Sequence, residues 1–461
     1  MANTHSTDLE ASSSQYFSIT NASQTGLKPD DGTVEAWIKL ESLPSGSNMV
    51  IAGAGNMGGA WDMWVSTSNK LTGRVRFSSD TTATGSTSLV AGVWYHVAMT
   101  WNNSTKVVKV YLNGVEDGSA TGSGAITKFT FDVTVGAKSS GTTLYFDGLI
   151  DNVMVWSETR SASQIQDDLG TILTGTETNL EGYWKFDNDA TDETANSNDL
   201  TANNTPTYTT DVPFSGELVD VSTDSTLATN LVSYWELEEA SGTRVDSHGS
   251  NDLTDNNTVG QGTGIQGNGA DFEKANSEYL NIADNASLSI TGDMTITGWI
   301  NPESSTGNDC VVSKWNTTGN QRSFAFYYTS GNTMRAFISS DGTNANTSKL
   351  DISTAGAITD LTLQQFAIVY DASAGTIYFY LDGVLNNVST GHKTSIFDST
   401  ADFYLGYFSQ DFAYFDGIQD EMAIYNRMLT AGEVHNLYNG GSGLPYQAAV
   451  AATFTPKVMW L

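Results

Sequence analysis

Two stretches of this chain repeat one another at a distance of 269 positions: YFDGLIDNVMVWSETRSASQIQDDL over 145–169 and YFDGIQDEMAIYNRMLTAGEVHNLY over 414–438. Further segments match in the same order: 9–19 with 272–282, 32–42 with 294–304, and 107–119 with 376–389. Their offset drifts from about 262 to 269, as loop insertions between equivalent strands would produce. A pattern written twice requires one architecture built twice. The 461 residues are enough for each copy to bury its own core.

The matched segments alternate with period two, as in Val34, Ala36, Ile38 and Leu40 and again in Ile296, Gly298 and Ile300. One row of side chains therefore faces a core from an extended strand. Asn113-Gly114 and Asp382-Gly383 stand between alternating runs, where a type I′ hairpin turn needs positive φ at both central residues. One helix per half is predicted, over 161–169 and 429–438, each opened by Ser or Thr with an amide or acid three positions on. The fold class is all-β, with antiparallel sheets.

A third correspondence breaks simple tandem order. Residues 180–205, LEGYWKFDNDATDETANSNDLTANNT, resemble 231–258, LVSYWELEEASGTRVDSHGSNDLTDNNT. The first follows its helix, whereas the second precedes everything else in its half. The first half thus reads as a circular permutant, and residues 180–212 are predicted to fold back into it. The expected division is a domain over 1–212, a linker or lead-in strand over 213–230, a domain over 231–440, and a C-terminal tail over 441–461.

The series YWELEEASGT, DSHGSNDLT, MTITGWINPES, IYFYLDGV and FDGIQDEMAIYNRMLTAGEV resembles the laminin-G-like jelly rolls of the concanavalin A-like lectin and glucanase superfamily. The resemblance covers 1–212, once permuted, and 218–440. It implies two β-sandwiches, and its members include lectins, adhesion modules and hydrolases. Gln419 and Asn152 depart from the acidic positions of that pattern. Asp151 and Asp420 stand beside the apolar runs VMVW and MAIY, where an unpaired buried carboxylate costs several kcal/mol, so each needs a partner. The resemblance implies Ca²⁺ there, held between a sheet edge and a loop. Candidate ligands are Asp151, Asp187, Asp189, Asp192 and Asp199 in the first half, and Asp420, Glu236, Glu238, Asp246 and Asp252 in the second. Calcium takes about six to eight oxygens, which loops rich in Asp, Asn and Gly can supply.

The formal net charge of −32 has no compensating Lys/Arg cluster, which argues against nucleic acid and anionic membranes as partners. Cys310 is the single cysteine and reads as a small buried hydrophobe. The opening residues carry no apolar signal segment, so synthesis into the cytosol is expected. The terminal YQAAVAATFTPKVMWL is too short to span a bilayer. Candidate sugar-stacking aromatics are Trp61, Trp64, Trp315 and the cluster 407–415, which includes Phe412, although strand Trp and Phe more often pack a sandwich. No strand carries the alternating carboxylates of a glycosidase. His5, His96, His248, His392 and His435 are scattered, and GAGNMGG lacks the lysine of a phosphate loop.

These features predict a non-catalytic structural or adhesion protein that binds glycans. Its whole-chain character resembles phage virion proteins, either capsid decorations or fibre-like adhesins. The partners expected are surface polysaccharides, virion proteins reached through the tail, and a second copy of the chain. A bacterial or archaeal cell-surface adhesin is the alternative, and a degenerate glycoside hydrolase comes after it.

Overall fold

The computed structural model describes residues 3–55, 60–127, 130–138, 143–215, 220–303, 308–410 and 413–447. It divides into two compact units. One is Met1–Glu217 with Tyr380–Asn386 and Leu429–Asn436; the other is Leu218–Phe379, Asn387–Met428 and Leu437–Leu461.

The first sandwich pairs an eight-stranded with a seven-stranded sheet. The larger runs Val115–Thr121, Val107–Leu112, Trp94–Asn102, Gly32–Leu40, Gly148–Trp156, Ser6–Leu9, Thr207–Thr209, with Leu180–Trp184 also paired to Gly148–Trp156. The smaller runs Thr201–Asn203, Tyr16–Ile19, Val133–Val135, Met49–Gly53, Trp61–Val65, Leu71–Arg76, Asp80–Thr84. The alternating row Val34, Ala36, Ile38 and Leu40 points into a core shared with Ile51, Met63 and Val75 of the facing sheet.

The second sandwich repeats this order. Its eight-stranded sheet runs Val384–Thr390, Thr376–Leu381, Gln364–Asp371, Met294–Pro302, Gly417–Tyr425, Asn268–Phe272, Gly260–Thr263, with Leu231–Trp235 paired to Gly417–Tyr425. The seven-stranded sheet runs Thr254–Asn256, Tyr279–Ile282, Phe403–Leu405, Asp309–Asn316, Gln321–Tyr328, Met334–Ser339, Thr347–Asp351. A ribbon, Tyr407–Phe408 with Ala413–Tyr414, is added. Leu180–Trp184, Thr201–Asn203 and Thr207–Thr209 close the first sandwich. Leu231–Trp235, Thr254–Asn256 and Gly260–Thr263 take the same sheet positions but open the second.

Local chemistry explains the recurrence. Asn113 and Gly114 have φ of 48° and 77°, Asp382 and Gly383 50° and 75°, so each pair forms the tight turn of its hairpin. Gly148 and Gly417, at φ 134° and 125°, begin the central strands. A Cβ on either would lie 2.2 Å from the carbonyl oxygen of Lys39 or Asn301, which only glycine avoids. The helices Ala162–Asp167 and Ala431–Tyr438 open on reciprocal caps. Ser161 accepts from the Gln164 N–H at 3.3 Å and donates its own N–H to Gln164 Oε1 at 2.9 Å. Thr430 and Glu433 exchange the same bonds at 3.1 and 2.7 Å.

The segments at the two boundaries are packed. Among the described residues of 213–230 there is no strand. Phe214, Val221 and Leu227 are fully buried, and Phe214 lies 5.9 Å from the Trp37 ring. The start of the tail is packed as well. Leu444 and Tyr446 are buried, and Tyr446 lies 5.0 Å from the Tyr234 ring. Residues 448–461 fall outside the described residues.

Candidate functional site

The tryptophans proposed to stack on sugar are core residues, a correction with a clear cause. Trp61 is 1% exposed, donates its indole N–H to the Leu27 carbonyl at 3.0 Å and stacks on Trp101. Trp64 is buried as well, with the Arg74 guanidinium over its ring. Trp315 lies on the outer face of the seven-stranded sheet but has no exposure, because the ribbon roofs it. Phe408 and Ala413 close over Trp315, Ala325, Tyr327 and Phe337 to make a small second core that also contains Cys310. Phe412 lies outside the described residues.

Beside that roofed patch the same sheet face presents tyrosines. In Tyr279–Ile282, Leu280 points inward, so Tyr279 and Asn281 point outward; in Phe403–Leu405 the flanking residues are buried and Tyr404 points outward. Tyr407 and Tyr414 face each other across the ribbon, 4.9 Å between ring centroids. Gly406, at φ 81°, turns the chain into the ribbon with the Phe272 ring 2.8 Å from where a Cβ would stand. Tyr279 lies 5.8, 5.1 and 6.3 Å from Tyr404, Tyr407 and Tyr414. All four rings are half-buried.

Polar groups border the platform. Asp402 Oδ2 accepts from Asn281 Nδ2 at 3.1 Å and from the Tyr404 hydroxyl at 3.4 Å, and Asn281 Oδ1 accepts from Asn256 Nδ2 at 2.8 Å. Burial first, then neighbouring phenols and Asp402, push the Tyr279 and Tyr404 hydroxyls upward. Tyr407 is pushed up by burial, Tyr414 and Tyr279. These phenols stay neutral donors at physiological pH. The cluster 407–415 was legible as aromatic; Tyr279 and Tyr404, far off in sequence, were missed.

The predicted acidic residues are held by protein donors. Asp246 accepts the N–H groups of Tyr234, His248, Gly249 and Asn251 between 2.9 and 3.1 Å, and Asp252 accepts that of Asp246 at 2.9 Å. Asp192 and Asp199 staple the equivalent loop of the first unit. Asp187 takes the N–H groups of Thr4 and His5, Asp189 that of Thr191, and Glu236 the Ser247 hydroxyl. Glu238 accepts from the Asn268 N–H. These bonds tie the loops together through their carboxylates.

Asp151 and Asp420 sit at a β-bulge whose next residues, Asn152 and Glu421, have left-handed φ of 46° and 49°. Asp151 accepts from Asn3 Nδ2 and the Asn152 N–H, both at 2.8 Å. Asp420 accepts the N–H groups of Ile265 at 2.7 Å and Glu421 at 3.0 Å. Burial nevertheless pushes Asp151 well above the usual carboxylate range and Asp420 up to about 7. N–H donors are thus among the partners of both carboxylates.

Carboxylates do converge elsewhere, at the corner where the central strand begins. Asp8, Glu10 and Glu41 in the first unit, and Asp271, Glu273 and Glu303 in the second, each bring ligand oxygens within 4.8 Å of one another. Asp8 Oδ1 and Asp271 Oδ1 are buried without a hydrogen-bond partner. Asp147 and Asp416 add charge: after burial, they push up Asp8 and Asp271 respectively. The signal in the sequence was that all four acids are kept in both copies.

The first unit also buries a network that sequence reasoning missed. Glu35 and His96 have no exposure and lie 3.5 Å apart; Arg160 stands 3.3 Å from Glu35 and 2.6 Å from Asp168, its guanidinium 3.8 Å over Trp156. Burial, then Arg160, pushes His96 down to about 3, so the ring is neutral. At the equivalent strand positions of the second unit stand Thr297 and Gln365, hydrogen-bonded at 3.2 Å.

No curated protein matches this chain. Among solved structures it is similar to domain 4 of the arabinanase AbnA from Geobacillus stearothermophilus, a complex with arabinotriose. Identity is 20%, over 45% of this chain and 97% of that one, with a TM-score of 0.36. It is similar to the binding domain of Paraclostridial Mosquitocidal Protein 1 at 16% identity and TM-score 0.37, over 46% of this chain and about half, 52%, of that one. Domains LG4-5 of the mouse laminin α1 chain match over 92% and 91% of the two chains at 10% identity and TM-score 0.29. The profile of a laminin-G-like family, described as the concanavalin A-like lectin/glucanases superfamily, matches residues 11–166 and 274–435, more than half of the sequence. The chain belongs to that family, twice over.

Proposed function

We propose that the protein is a non-catalytic glycan-binding module whose principal site is the tyrosine platform of the second unit. The observation that carries this reading is four half-exposed tyrosines in mutual contact, bordered by Asp402, Asn281 and Asn256. The apolar C–H face of a sugar ring suits the negative face of an aromatic ring, while carboxylate, amide and phenol hydrogen-bond the equatorial hydroxyls. With a net charge of −32 the favoured ligand is neutral rather than polyanionic.

Calcium belongs to the same proposal, at the two carboxylate corners rather than at the acids first considered. Crowded like charges, together with the buried and unpartnered Asp8 Oδ1 and Asp271 Oδ1, support it. A hard cation would relieve that repulsion with oxygen ligands. The corner abuts the platform in sequence, since Tyr414 and Asp416 are two residues apart.

The setting we favour is a phage particle surface, with residues 448–461 as the attachment segment; a cell-surface adhesin is the alternative. The acidic composition and single buried cysteine support an exposed, soluble display. Removing 448–461 is expected to abolish particle incorporation and leave melting unchanged.

A neutral-glycan array probed with and without calcium tests the binding itself. At least one class of glycan should be retained, and Tyr279→Ala/Tyr404→Ala should weaken it at least tenfold. Retention that the double variant leaves untouched, or no retention at all, would refute the site.

A further inference from the structure

We infer that the first unit carries a second, chemically different binding site for a neutral polyhydroxylated ligand, a saccharide. It lies in a cleft of about 550 Å³ on the outer face of the eight-stranded sheet. That volume falls within the range that holds a small ligand. The outward rows of Trp94–Asn102 and Val107–Leu112 form the floor through Thr100, Asn102 and Tyr111, and the segment that opens the helix Ala162–Asp167 forms the wall through Thr159, Ser161 and Gln164. Seven of the twelve lining residues carry a hydroxyl or an amide, while the surface they leave exposed is more apolar than polar, a mixture that suits the C–H face and the hydroxyls of a sugar ring.

Its charges are already spent. Lys109 pairs with Glu116 at 2.7 Å on the rim, and Arg160 is committed to Asp168, Glu35 and the Gln164 carbonyl. A neutral ligand fits such a lining better than an ion does, because neither partner of a pair need be stripped.

A second observation points the same way. Arg160 is a lining residue, and the network that fixes it is peculiar to this copy. By the repeat, Glu35, His96, Arg160 and Asp168 correspond to Thr297, Gln365, Leu429 and Leu437. The cleft residues change with them: Thr100 and Asn102 correspond to Val369 and Asp371, Lys109 and Glu116 to Tyr378 and Leu385. A buried ionic network is costly to keep, and where it is kept its attested use is to fix geometry. Here the geometry it fixes is the cleft wall: Arg160 ties the chain just before the helix to Asp168 just after it.

This inference rests on the reading of the chain as a glycan binder, and the test separates the two. The full chain is titrated with cellohexaose, laminarihexaose, maltohexaose and xylohexaose by calorimetry, as wild type, as the platform variant Tyr279→Ala/Tyr404→Ala, and as that variant with Val107→Trp added to fill the cleft. Thr105→Trp, which fills the cleft from an exposed lining position, serves in place of Val107→Trp if the latter melts early. The platform variant is expected to keep one saccharide per chain, and filling the cleft to weaken that residual binding at least tenfold. Loss of all binding in the platform variant, with wild type still binding, overturns the cleft and leaves the platform standing. Residual binding indifferent to both cleft substitutions also overturns it. A wild type that binds none of the four sugars overturns both.

Discussion

The two jelly rolls of this chain share strand order, turns, caps and acidic corners, yet differ on their outer faces. In the second, Tyr279 and Tyr414 are joined by Tyr404 and Tyr407. In the first, the equivalent Tyr16 and Tyr145 stand 6.2 Å apart, with Thr134 in the place of Tyr404. Conversely the first carries Glu35, His96, Arg160 and Asp168 where the second has a Thr–Gln pair and two leucines. What the copies keep is what a sandwich needs to close. What they do not keep lies at the tyrosine platform and in the cleft with the buried network beneath it, and function rather than fold is where duplicated scaffolds are free to diverge.

The largest expected effect breaks the charged network. Arg160→Ala strands Glu35 and Asp168 in the interior and should cost about 3–5 kcal/mol. Transplanting the residues of the second copy of the repeat, Glu35→Thr/His96→Gln/Arg160→Leu/Asp168→Leu, should recover most of that, since a neutral replacement removes the desolvation penalty with the attraction. Calorimetric melting reads both; equal losses for the single and quadruple variants would show that the network is more than a costly local tie. Of similar size is Trp184→Ala or Trp235→Ala, each about 3–5 kcal/mol, because the rings fill the two cores alike and hydrogen-bond the carbonyls of Asn198 and Asn251. Unequal losses would break the equivalence of the copies.

A smaller effect is pH dependence. Burial raises Asp62 in the first unit to about 6, against the pull of Arg74, and Asp420 in the second to about 7. A carboxylic acid whose folded pKa exceeds its unfolded value near 3.9 favours the folded state at low pH and loses that advantage as pH rises through the folded value. The melting temperature of the wild type, taken relative to Asp62→Asn and Asp420→Asn, should therefore fall from about pH 4 to about pH 7, the comparison cancelling the opposite trend of buried histidines such as His96. A rise over that interval would contradict the placement of these groups. The smallest effect expected is that of calcium, a shift of a few degrees above pH 7 that Glu41→Gln and Glu303→Gln each remove in part, as seen by scanning fluorimetry with and without chelator.

Much of the scaffold was legible in the chain. Asn113-Gly114 and Asp382-Gly383 name their turns because few other pairs tolerate two positive φ values, and Ser161 with Gln164 names a helix start, because these are contacts over a few residues. The site was less legible. Trp315 and Tyr279 look alike on paper, each next to a polar loop. Only the ribbon, whose first residue Tyr407 stands 92 positions after Trp315, decides that Trp315 is roofed while Tyr279 is not. Asp151 and Asp420 were correctly seen to need partners, but a carboxylate satisfied by N–H donors and one awaiting an ion have the same local sequence. The corner acids could have been found by asking which carboxylates both copies retain.

The central claim is that sugar meets the tyrosines of the second unit. The most direct measurement is fluorine NMR on the full chain labelled with fluorotyrosine, with single Tyr→Phe variants assigning the resonances, titrated with the glycan best retained on the array. The account predicts that Tyr279, Tyr404, Tyr407 and Tyr414 shift together along one binding isotherm while Tyr16 and Tyr145 stay in place. A glycan that binds while those four resonances remain still would contradict it.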